Sequence, residues 1–67
     1  MKILASSMSY IIRITDNIDD SVIASFLRDR RSYISAYNPF IEIVGPDSEC
    51  DDVIYFLEQM DISYQVY

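Results

Sequence analysis

Histidine and tryptophan are absent from this chain, and cysteine and glycine occur once each. Losing histidine removes the side chain most used for proton transfer and for metal ligation near neutral pH. With Cys50 alone no internal disulfide can form, and a reducing, cytoplasmic setting is expected. With Gly45 alone there is no glycine-rich cradle for phosphates. No stretch approaches the roughly 20 apolar residues of a membrane-spanning helix. Lys2 is followed by only Ile3, Leu4 and Ala5 before Ser6 and Ser7, far short of the about 7 to 15 apolar residues of a secretory signal core. The expectation is a soluble, cytoplasmic chain that is not an enzyme, with no cofactor, no metal and no membrane contact.

Two features carry groups able to do chemistry, and each has a simpler account. Cys50 falls near an expected helix N-terminus, where a thiolate is stabilised. It has no histidine partner, and its spacing with Val53 and Leu57 turns it toward the core, as is usual for a free cysteine. The run DSECDD offers oxygen ligands at Asp47, Glu49, Asp51 and Asp52, but it lacks the glycine and distal glutamate of an EF-hand loop. Helix capping explains the same residues.

What is present is a short chain with ample apolar content. Its 67 residues are 51% hydrophobic, which suits one folded domain spanning 1–67 rather than a disordered tail. A chain this short buries only about 60% of its unfolded surface. Small domains then lean on disulfides, metals or self-association; with the first two unavailable, tight packing or a homodimer is expected.

Residues 8–15 read as a strand, with Tyr10, Ile12 and Ile14 on one face and Ser9, Ile11, Arg13 and Thr15 on the other. Lys2 to Ala5 either extend it or form a further short strand with a turn at Ser6 and Ser7. Asp16, Asp19 and Asp20 then supply cap and first-turn carboxylates for a helix expected to run to about Tyr37. Val22, Ile23, Phe26, Leu27, Tyr33, Ile34 and Tyr37 form its apolar stripe, and Pro39 stops it at Asn38. Residues 39–44 read as a second strand, with Ile41 and Ile43 opposite Phe40, Glu42 and Val44, closed by Gly45 and Pro46. A second helix opens at an Asp47 or Ser48 cap and buries Val53, Ile54, Phe56, Leu57 and Met60. Residues 62–67 alternate as a third strand. Each strand has a polar residue on one face, which favours two layers over a doubly covered sheet. The expected fold class is α/β: a small two-layer βαβαβ domain with a three-stranded sheet, mainly parallel or mixed, and two helices on one face. The run from Phe56 to Val66 resembles the helix-to-strand passage of many small α/β folds, thioredoxin-like ones included; the redox cysteine motif is missing, so no function comes with it.

Charge is the remaining signal. Residues 1–31 sum to +1 and residues 32–67 to −7, within a net charge of −6. An anionic half repels phosphate backbones and steers toward basic partners, so direct nucleic-acid binding is not expected. Asp47, Glu49, Asp51, Asp52, Glu58 and Asp61 are the candidate partner-binding acids, a row of carboxylates able to act as a DNA mimic. The Arg28, Arg30 and Arg31 cluster is read as serving the C-terminal end of the first helix. A second candidate surface is the sheet face turned from the helices, with Ile11, Phe40, Val44 and Tyr67 among Arg13, Glu42, Ser63 and Gln65, suited to a partner or a dimer mate. The leading functional reading is a small acidic protein-binding protein, a viral or mobile-element inhibitor that covers a basic, nucleic-acid-binding surface of its target. The alternatives are an adaptor or subunit docking through the apolar sheet face, and a minimal metal-dependent enzyme.

Overall fold

Strict alternation builds the first strand. In β1 (Ser9–Ile14) every second side chain, Tyr10, Ile12 and Ile14, is buried, while Ser9 and Ile11 face outward. The computed structural model describes residues 9–67, so the expectations for Lys2 to Ala5, Ser6, Ser7 and Met8 lie outside the described residues. After β1 come α1 (Asp20–Leu27), β2 (Tyr33–Ala36), β3 (Glu42–Pro46), a 3₁₀ turn (Asp47–Glu49), α2 (Cys50–Gln59) and β4 (Tyr64–Val66). The sheet order is β2-β3-β1-β4, and all neighbours are antiparallel. Ile23 and Leu27 of α1 and Val53 and Leu57 of α2 share one core with Ile12, Ile14 and Ile43, which places both helices on one face. This is the interleaved split βαβ arrangement of ferredoxin-like topology.

The two-layer α/β architecture with both helices on one side is thus present, but the expected three-stranded, parallel or mixed sheet is not. The long first helix is in fact two elements. It ends at Leu27, and residues 33–36 form a strand. That extra strand reverses the chain once more before β3, so β3 and then β4 return antiparallel to β1. A bulge explains why β2 resembles a helix in the sequence. Tyr33 and Ile34 pair with Val44 and Ile43, but Ala36 pairs with Glu42, leaving Ser35 as the inserted residue. The insertion returns Tyr37 to the side of Ile34, a spacing of three that imitates helical periodicity.

Helix ends follow local chemistry. Asp19 caps α1, its carboxylate accepting from the Ser21 N–H at 3.1 Å. Asp16 does not cap; it accepts from the Ser63 N–H at 2.7 Å and ties the loop after β1 to the one before β4. Neither Asp47 nor Ser48 caps α2, because the 3₁₀ turn runs straight into it without a side-chain cap bond. β3 runs past the expected end at Val44, through Gly45, and closes at Pro46. At the far end of α2, Asp61 has φ 58°. Its N–H donates to the Glu58 carbonyl and the Ile62 N–H to the Leu57 carbonyl, a Schellman termination with Ile62 tucked into the core.

One polar chain crosses the apolar interior. Ser32 is buried, and its Oγ accepts from Tyr10 Oη at 2.6 Å and donates to Glu49 Oε1 at 2.6 Å. Glu49 also accepts the backbone N–H groups of Ser32, at 2.9 Å, and Arg31, at 3.0 Å. The arrangement requires glycine at 45, since a Cβ there would sit 2.0 Å from Ser32 Oγ. We expect Gly45→Ala to lower unfolding free energy by about 2 kcal/mol, and by much less in a Ser32→Gly background, measured by urea denaturation. Asp61→Gly should raise stability by about 1 kcal/mol by relieving the left-handed backbone, read in the same experiment.

Candidate interaction surfaces

The open face of the sheet gathers its side chains around Arg13. The ladder sets Ile11 beside Val44, and Arg13 beside Glu42 on one side and Gln65 on the other. Arg13 Nε donates to Glu42 Oε2 at 3.0 Å. Its guanidinium carbon lies 4.8 Å from the ring centre of Tyr67 and 5.6 Å from that of Phe40, within cation–π range. Tyr67 is held in register by its N–H, which donates to the Ile11 carbonyl at 2.8 Å. Ile11, Phe40, Val44 and Tyr67 therefore share one surface. Tyr33 joins them opposite Val44; it went unrecognised because the sequence placed it in a helix. Tyr33, Phe40 and Tyr67 are 58%, 40% and 60% exposed. At about 200 Å² per aromatic side chain, they leave roughly 300 Å² of ring surface in solvent, comparable to the largest patch of a typical monomer.

The acidic candidates are spread along α2 rather than joined in one row. Asp47 opens the 3₁₀ turn and Asp61 lies beyond the helix end. Glu49 is turned inward to Ser32, and Arg31 lies 3.9 Å away. Asp52 meets Arg30 at 4.0 Å. Arg30 also donates to the Phe26 carbonyl at 3.4 Å, which fits a helix C-terminal role, and lies over the Phe26 ring. Phe26 in turn stacks on Phe56 with centroids 4.1 Å apart, joining α1 to α2. The sequence-level split of charge is thus blunted in space, because Arg30 and Arg31 fold back onto the start of α2. Asp51 and Glu58 remain on its outward side, about 10 Å apart along the axis, with exposed Tyr55 between them. Glu58 accepts from Tyr64 Oη at 2.7 Å.

Cys50 is half-buried, and desolvation, followed by the charges of Asp51 and Asp47, pushes its thiol up. A thiol held in this way is a poor nucleophile. Among the described residues no three His, Cys, Asp or Glu side chains converge to hold a metal ion, and no helix is long and apolar enough to cross a membrane.

The Arg31 and Ser32 donors hold the Glu49 carboxyl below its ordinary value of 4.5. The folded state therefore prefers the ionised form more strongly than the unfolded chain does. That contribution is complete above about pH 4.5 and falls away as pH drops through the lower folded value. Thermal melts across this acid range should show Glu49→Gln less pH-sensitive than the wild type, with Asp19, lowered by the Ser21 N–H, supplying part of the residual slope. No protein-family model, curated protein or solved structure matches this chain.

Proposed function

We propose that this chain is a small, non-catalytic, cytoplasmic protein-binding module that docks through the open sheet face onto an apolar, weakly charged patch of another protein. The single observation behind this reading is the cluster of Phe40 and Tyr67 about Arg13, with Ile11, Val44 and Tyr33 beside it. Aromatic residues and arginine are the side chains most enriched where interfaces bury their binding energy. The face is also locally neutral on a chain of net charge −6, because Arg13 is already held by Glu42. That balance selects an uncharged complement.

An aromatic four-stranded sheet is also the platform on which some domains stack RNA bases. Such platforms combine their rings with cations left free for phosphate. Arg13, the one cation on this face among the described residues, is engaged by Glu42, and the net charge repels a phosphate backbone. Protein is the better-matched occupant.

The second reading, an inhibitor that covers a basic nucleic-acid-binding surface, is favoured by the exposure of both Asp51 and Glu58 on the outward side of α2. Salt dependence separates the two. With a partner captured from lysate and then purified, Phe40→Ala combined with Tyr67→Ala should weaken binding more than about tenfold. The pair Asp51→Lys and Asp52→Lys should change it little, and added salt should matter little. A complex lost in the lysine variant or in high salt would transfer the function to the acids. Sedimentation showing that a second copy fills the sheet face would equally overturn the first reading.

A further inference from the structure

The outer edge of β2 carries a feature that neither reading uses. Among the described residues β2 ends the sheet and pairs only with β3, so the backbone groups on its other side form a ladder without a partner there, a template for another strand. Alongside runs a cleft of about 310 Å³ between this edge and α1, floored by Leu27, Ile34 and Ala24 and flanked by Tyr37 and Arg28. That is near the lower end of the roughly 300 to 1,000 Å³ typical of ligand clefts, room for side chains of an extended segment but not for a folded element. The Ser35 bulge helps to build it, since it brings Tyr37 to the Ile34 side. A second depression runs across the small side chains Ser21, Ala24 and Ser25, again bordered by Arg28.

Arg28 decides the chemistry of the occupant. The other described arginines each hold a carboxylate of this chain: Arg13 with Glu42, Arg30 with Asp52, and Arg31 with Glu49. Arg28 is exposed and makes no ion pair among the described residues, although acids outnumber bases in the chain by 11 to 5. A guanidinium left unpaired beside a strand edge and an apolar cleft complements a carboxylate brought in by a partner. A second copy of this chain is a poorer match, because its own β2 segment, residues 32–37, carries no acid.

We infer that the β2 edge binds an extended peptide segment by strand addition, with an apolar side chain in the Leu27–Ile34 cleft and an Asp or Glu paired to Arg28. Main-chain bonds supply affinity and the cleft and Arg28 supply selectivity, the usual division in β-augmentation.

The test uses isotope-labelled full-length chain and an array of capped Val/Thr-rich peptides of about eight residues, each with one Glu, and matched peptides with Gln or Lys in its place. Amide shifts should appear in residues 33–36 and 24–28, and the Lys peptides should bind at least about tenfold more weakly than the Glu peptides. Arg28→Glu should invert that preference while β2 still responds, which separates a charge role from loss of fold. Absence of β2 shifts with every peptide, or a Glu preference that survives Arg28→Glu, would refute the inference. So would β2 amides that already broaden with concentration in the free protein, since a second copy would then occupy the edge. Shifts centred on Phe40 and Tyr67 would refute it while leaving the sheet-face reading intact.

Discussion

The buried hydroxyl of Ser32 is the point on which the rest of the molecule is hung. It sits just before the edge strand β2, accepts a hydrogen bond from the Tyr10 phenol of the central strand β1 and donates one to Glu49 at the head of the second helix. The elements it joins are far apart in sequence. Burying a polar group without partners is costly; here each member of the chain satisfies the next, and burial accordingly pushes the Tyr10 phenol up. The apolar core fixes which faces meet, since Ile, Leu and Val side chains are interchangeable partners at modest cost. The directional bonds through Ser32 fix where along those faces β2, β3 and α2 come to rest. Gly45 is the steric counterpart, its missing side chain leaving the space that the hydroxyl occupies.

Much of this was legible in the residues because period and burial agree locally. Tyr10, Ile12 and Ile14 announce the buried face of β1, and Ile41 with Ile43 announces that of the β3 region. Val53 and Leu57 mark the inward side of α2. The error at β2 has a definite cause: Tyr33, Ile34 and Tyr37 have helical spacing, but the spacing comes from an extra residue inserted into a strand. A bulge depends on which residue pairs across the sheet, and nothing local records that. Without β2 the chain reverses an even number of times between β1 and β3 instead of an odd number, so a single lost element turns antiparallel strands into parallel ones.

The two candidate surfaces differed in legibility for a similar reason. The sheet face could be listed from alternation alone, because side chains on one side of a strand stay on that side. Its organisation around Arg13 depends on Phe40 and Tyr67 arriving from different parts of the chain. The acidic row was a property of sequence order rather than of space. Arg30 and Arg31 stand ahead of those acids along the chain but lie next to Asp52 and Glu49 in the fold, so a charge count by halves overstates the anionic character of the second half.

The central position of β1 has a consequence for synthesis. Its two partners are residues 42–46 and 64–66, so the first described strand is synthesised before either neighbour. Nascent chain carrying Tyr10, Ile12 and Ile14 must therefore wait with its apolar side uncovered. The sheet closes only after translation has passed residue 66, a nearly all-or-none event of the kind expected when long-range pairings dominate.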